Sequence, residues 1–102
     1  MTTMVVLVNL KEGVSPEDYE RWAKETYAPA VKGPSLDPGL ASLLGGSLFT
    51  SDFVPPYRYV VTVDIGDLAQ LRRDVEGEEM RGLLSERHRF AEVVPLISER
   101  FV

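Results

Sequence analysis

The sequence predicts an α+β fold with the element order β, α, β, β, α, β, and three observations predict it. The first is a β-branched-rich run of strand length, Met4-Val5-Val6-Leu7-Val8-Asn9-Leu10. The second is an aromatic stripe at helical spacing that follows a capped start at Ser15-Pro16. The third is a period-two alternation running from Tyr57 to Ile65.

Length and composition narrow the field before any element is placed. A chain of 102 residues suits one domain, taken here as residues 1–102. The absence of cysteine excludes disulfides and thiolate metal sites and is compatible with a reducing compartment. The 16 acidic and 11 basic side chains leave a formal charge of −5. A field of that sign repels phosphate backbones and argues against nucleic acid as a partner. No run reaches the roughly 18 apolar residues that span a bilayer, which argues against a membrane. Met4 to Val8 is too short for a signal-peptide core and no basic segment precedes it, so a cytoplasmic protein is expected.

Met4 to Leu10 is apolar on both faces until Asn9, as expected of a central strand covered from two sides. Lys11-Glu12-Gly13 ends it. Ser15 then caps a helix, with Pro16 at its first position, Asp18 completing a box-like start, and Val14 and Tyr19 placed as a hydrophobic staple. Tyr19, Trp22, Ala23, Thr26, Tyr27 and Ala30 form the stripe that should face the sheet. Glu17/Arg21 and Glu20/Lys24 are pairs four apart on the opposite, exposed side. Pro29 disfavours helix at Ala28, so the helix should end near Tyr27.

Lys32 to Gly39 carries two prolines and two glycines and reads as a loop. Leu40 to Phe49 reads as the second strand, with Gly45-Gly46 as a bulge or close approach, and Thr50 to Pro56 as a turn segment. In the third strand Tyr57, Tyr59, Val61, Val63 and Ile65 share one face, while Arg58, Val60, Thr62 and Asp64 share the other. Asp67 caps a helix with Leu68, Leu71 and Val75 inward; Gly77 interrupts it. A second helical piece clusters Met80, Leu83, Leu84, Arg87 and Ala91 on one side. Ala91 to Val102 returns as a last strand, where Pro95 fits only an edge or a bulge.

This order is the ferredoxin-like βαββαβ arrangement, a four-stranded antiparallel sheet with helices on one face. Strands 1 and 3 are apolar on both faces, so the helix-free face needs another cover. A second copy of the same sheet is the simplest one, and a homodimer is therefore expected.

The chain also resembles the RedY-like family of the dimeric α+β barrel superfamily, which is related to EthD-like proteins. The likeness rests on the order and spacing of Met4-Val-Val-Leu-Val-Asn-Leu-Lys-Glu-Gly-Val, Tyr19-Glu-Arg-Trp-Ala and Pro29-Ala-Val-Lys-Gly-Pro-Ser. Tyr57-Arg-Tyr-Val-Val-Thr-Val-Asp-Ile and Asp67-Leu-Ala-Gln-Leu complete it. The resemblance implies two sheets paired face to face, a small and often aromatic ligand between sheet and helices, and an association with prodiginine-type pigment biosynthesis. EthD-like relatives commonly carry a His-x-Pro segment after the first helix. Here it reads Tyr27-Ala28-Pro29, which argues against imidazole chemistry at that position.

Five residues are candidates for the site. His88 is the single histidine and the natural acid/base group near neutrality, or else a half-exposed histidine on the helix flank. Asn9 ends an apolar strand and can orient a substrate carbonyl, or else bond a neighbouring loop. Tyr27, where the chain leaves the first helix, can handle a proton at a pocket mouth, or else pack the core. Trp22 and Tyr59 can wall an aromatic pocket for substrate, or simply pack the core. Arg58 reads as a dimer or surface salt bridge.

With one histidine and no cysteine, a metal site is not expected. No dinucleotide, P-loop or Gly-x-Ser-x-Gly spacing occurs, so no cofactor is expected either.

Two functions fit these residues together with what the resemblance implies. One is a small-molecule enzyme of secondary or aromatic metabolism, of the cyclase, isomerase or cofactor-independent monooxygenase type. The other is a non-catalytic dimeric binding or accessory protein for a pathway intermediate. The position of His88 separates them: facing a shared cavity with Tyr27 it favours catalysis, and facing solvent it favours the accessory role.

Overall fold

Val6 and Val8 are the buried residues of β1 (Thr2–Leu10), and the rest of the strand is half-buried. A computed structural model describes residues 2–33, 36–46 and 51–102. Gly13 turns the chain after β1 with a φ of 84°, a left-handed conformation that other residues adopt at a cost. Ser15 then caps α1 (Pro16–Trp22), its hydroxyl accepting from the Asp18 N–H at 3.2 Å.

The helix does not stop at Tyr27. It continues through a π-helical stretch (Ala23–Tyr27) into α2 (Ala28–Val31), past Pro29. Proline has no N–H and its ring presses on the preceding turn, so a regular α-helix would be disrupted here. The wider π turn, with the Ala28 N–H reaching back to the Ala23 carbonyl, leads into a new α turn with Pro29 in its first positions, where the missing N–H costs least. The extra residue also rotates the stripe. Tyr19, Trp22, Ala23, Tyr27 and Val31 are buried, whereas Thr26 and Ala30 are exposed.

β2 (Leu36–Ser42) begins within the stretch expected to be a loop and ends well before Phe49. Leu36-Asp-Pro-Gly looks like a turn in sequence. β2 is an edge strand, however, and an edge tolerates Pro38. Gly45-Gly46 follows the strand in a bend, with Gly46 at a φ of 80°. Leu48, Phe49 and Thr50 lie outside the described residues.

β3 (Tyr59–Ile65) starts two residues later than expected, at Tyr59, and buries Tyr59, Val61, Val63 and Ile65 while turning Thr62 and Asp64 outward. Asp67 caps α3 (Leu68–Asp74), accepting from the Gln70 N–H at 3.0 Å. Gly77 separates it from α4 (Glu78–Phe90), and β4 (Ala91–Glu99) closes the fold short of Val102.

The four strands form one antiparallel sheet in the order β2-β3-β1-β4. This is the ferredoxin-like α+β arrangement, with β1 central and Pro95 on an edge strand. The helices cover the face that carries Val6, Val8, Val61 and Val63. The molecule is a thin slab, 42 × 39 × 18 Å, as one sheet and one helical layer require. No helix among the described residues is long and apolar enough to cross a membrane.

Candidate functional site

Five aromatic rings gather between the helices and one end of the sheet. Tyr19 lies 4.9 Å from Tyr59 and 6.1 Å from Trp22, measured between ring centroids. Trp22 lies 5.5 Å from Tyr27 and stacks on Phe90 at the same distance. These separations suit the offset and tilted packing that aromatic quadrupoles favour. The Trp22 indole Nε1 is buried and, among the described residues, has no hydrogen-bond partner.

The rings divide two cavities on the helix side. One, of about 340 Å³, opens beside β2 and is lined by Tyr19, Ala23, Leu40, Tyr59 and Val61. The other, of about 170 Å³, lies deeper, between Met4, Val6 and Val63 of the sheet and Tyr27, Leu84 and Arg87 of the helices. Tyr27 and Arg87 supply its polar side chains; the rest of its lining is apolar. An apolar cavity of ~150 Å³ in a protein core is known to admit a single benzene ring, so this one is of single-ring size.

Tyr27 is buried, and desolvation raises its pKa although the charge of the Arg87 guanidinium pulls the other way. Burial pushes Tyr19 up to about 12. Tyr59 is raised by burial too; its hydroxyl donates to Glu20 Oε2 at 3.0 Å. All three phenols are therefore protonated at neutral pH and are not bases there. The Glu20 contact also replaces the exposed Glu20/Lys24 pair expected from spacing. The described ion pair of this helix joins Arg21 to Asp18 at 3.5 Å instead.

The remaining candidates are scattered. Asn9 donates from Nδ2 to the Pro56 carbonyl at 2.7 Å, which ties the end of β1 to the loop before β3. It faces a polar surface hollow with Glu20, Arg58 and Glu92 rather than the Tyr27 cavity. Tyr59 lines the larger cavity and Tyr27 the smaller, with Trp22 packed behind Tyr27. His88 is exposed in the last turn of α4, and the structure does not bring it together with Tyr27. The physical reason is angular: Leu83, Leu84 and Arg87 occupy the inward arc of α4, and His88 falls one residue beyond it. Arg58 is exposed with its guanidinium 6.0 Å from the Tyr59 ring centroid.

Arg87 is the site residue that sequence reasoning passed over as a site. The signal was its spacing: it stands three and four residues after Leu84 and Leu83, on the inward arc, where a cation is out of place unless it meets something. Among the described residues no group of three or more metal-ligating side chains forms.

Comparison with known proteins bears on the whole chain. No curated protein matches it in sequence. Among solved structures it is similar to HapK from Hahella chejuensis, with a TM-score of 0.72 and 25% identity over 99% of this chain and 93% of that one. The At3g17210 protein of Arabidopsis thaliana superposes with a TM-score of 0.80 at 15% identity, covering 100% and 97% of the two chains. An EthD family protein from Bacillus halodurans gives 0.72 at 16% identity, covering 99% and 100%. The latter two show the fold alone. The family model described as REDY-like protein HapK matches residues 2–101. The chain therefore belongs to the REDY-like HapK family.

Proposed function

We propose that this protein is a dimeric small-molecule-binding protein that holds an apolar, aromatic pathway intermediate against the helix side of its sheet. The observation that carries the reading is the cavity of about 170 Å³, apolar apart from Tyr27 and Arg87. Such a lining, with few polar groups to orient a ligand, is typical of small-molecule sites. His88 stands in solvent and the nearby phenols are not bases, so binding or protection of an intermediate is favoured over proton-transfer catalysis. Family membership supports a small-molecule role, and secondary metabolism of the prodiginine-pigment type is the setting proposed for it.

The catalytic reading keeps one specific support. A neutral phenol beside a guanidinium, as in Tyr27 and Arg87, is a pair able to polarise a carbonyl during an isomerisation or cyclisation. Asn9, with its amide already engaged, has no part in that pair.

Titration with pyrrole, quinone and polyketide-like compounds tests binding, read by the emission of Trp22, which packs on Tyr27. Single-ring compounds are expected to change that emission saturably, and Val63→Phe, which fills the cavity, is expected to abolish the change. Saturable binding that Val63→Phe leaves untouched in a folded variant contradicts the assignment to this cavity. Turnover of any bound compound that is lost in Tyr27→Phe moves the balance to catalysis.

A further inference from the structure

The cavity contains a cation whose bonding is incomplete. Arg87 lies on the inward arc of α4 and lines the cavity together with Tyr27. Its Nε is buried and, among the described residues, meets no acceptor. No acidic side chain lines the cavity, and no carboxylate pairs with Arg87 among the described residues. A place in the last turn of a helix suits a basic residue, because the helix dipole is negative there. That accounts for the charge at this end of α4, which Arg89 also carries, but not for turning one guanidinium inward among Met4, Val6 and Leu84. A buried N–H without a partner destabilises the fold, and a charged one does so more. An acceptor supplied by a ligand removes that penalty.

Two donors remain. The guanidinium Nε–H is one. The Tyr27 hydroxyl, a donor on the lining of the same cavity, is another. A guanidinium and a phenol on the lining of one single-ring, otherwise apolar cavity match the two oxygens of a carboxylate, with the ring on the aliphatic side. We infer that the ligand of this cavity is a planar, single-ring carboxylic acid, bound as the carboxylate on Arg87 and Tyr27 with its ring over Met4, Val6 and Val63. This inference rests on the reading of the cavity as a ligand site. It adds the sign of the ligand's charge and its size. The overall charge of −5 repels such an anion at a distance, so recognition falls to this local cation.

The test is a matched pair of probes at pH 7, benzoate and benzamide, which share shape and differ in charge. Affinity is read by Trp22 emission and location by backbone amide shifts at Tyr27, Val63 and Arg87. Benzoate is expected to bind at least about tenfold more tightly than benzamide, and Arg87→Met to bring the two within about twofold. The comparison on the unmodified protein stands even where a variant does not fold. Equal binding of the two probes, or a benzoate preference that survives Arg87→Met, overturns the carboxylate while leaving the cavity a ligand site. Failure of both probes to shift the cavity residues overturns the cavity reading, and the carboxylate with it.

Discussion

A phenol taken out of water holds its proton, and three of the tyrosines here are in that position. Tyr19 is the strongest case, raised from 10.0 to about 12, chiefly by burial. Because the folded state retains a proton that the unfolded chain releases, its contribution to stability is complete below pH 10. It is lost as pH rises from 10 toward 12. The loss is at most about 3 kcal/mol, at ~1.4 kcal/mol for each pKa unit. Urea denaturation across that pH range should show the decline, and Tyr19→Phe should flatten it. A decline of the same size in Tyr19→Phe contradicts the assignment. Tyr27 was legible in the sequence because the aromatic stripe ran through it. Arg87 was on the correct arc but drew no attention as a site residue, since a basic residue at a helix C-terminus is ordinary. His88 was misleading for the opposite reason. Its chemistry is conspicuous, and one residue of helical rotation puts it in solvent.

Local signals governed the elements, and succeeded where they met no conflict. Ser15 and Asp67 marked two helix starts, and both side chains accept the N–H that a cap is meant to satisfy, at 3.2 and 3.0 Å. Asp67→Ala should therefore cost about 1 kcal/mol, with Asp67→Asn recovering most of it. Thermal or urea denaturation of the two variants checks this, and equal stability of Asp67→Ala and the parent contradicts it. Conflict arose at the prolines. Pro29 signals a helix end, yet the π turn before it carries the chain onward and turns Tyr27 and Val31 to the core. Pro38 and Gly39 signal a turn, yet pairing of Leu36 with Ile65 and of Leu40 with Val61 holds them in an edge strand. In both places tertiary packing overrides a local preference that the sequence states clearly.

At the scale of the molecule the two faces of the sheet are unequal. One is covered by helices and carries Val6, Val8, Val61 and Val63, with the cavity above it. The other carries Val5, Leu7, Val60, Val94 and Leu96, brought together by the Val5–Leu96, Leu7–Val94 and Leu7–Val60 pairings. On that face Leu96 is 48% and Val94 37% exposed. Covering each such side chain is worth about 1 kcal/mol, and Thr3, Thr62, Asp64 and Ser98 give the apolar centre a polar rim. The apolar character of the second face is legible in Val5 and Leu7 of β1 and in Val60 of β3, which is why the sequence leads to the expectation of a second subunit. Two sheets packed across a two-fold axis cover both faces at once.

The account depends most on this division, helices and a ligand on one side and a second copy on the other. Sedimentation velocity at micromolar concentration tests it directly. The prediction is a single species at twice the 11.4 kDa chain mass, shifting to monomer in Leu96→Lys. A folded protein sedimenting at 11.4 kDa under the same conditions contradicts it.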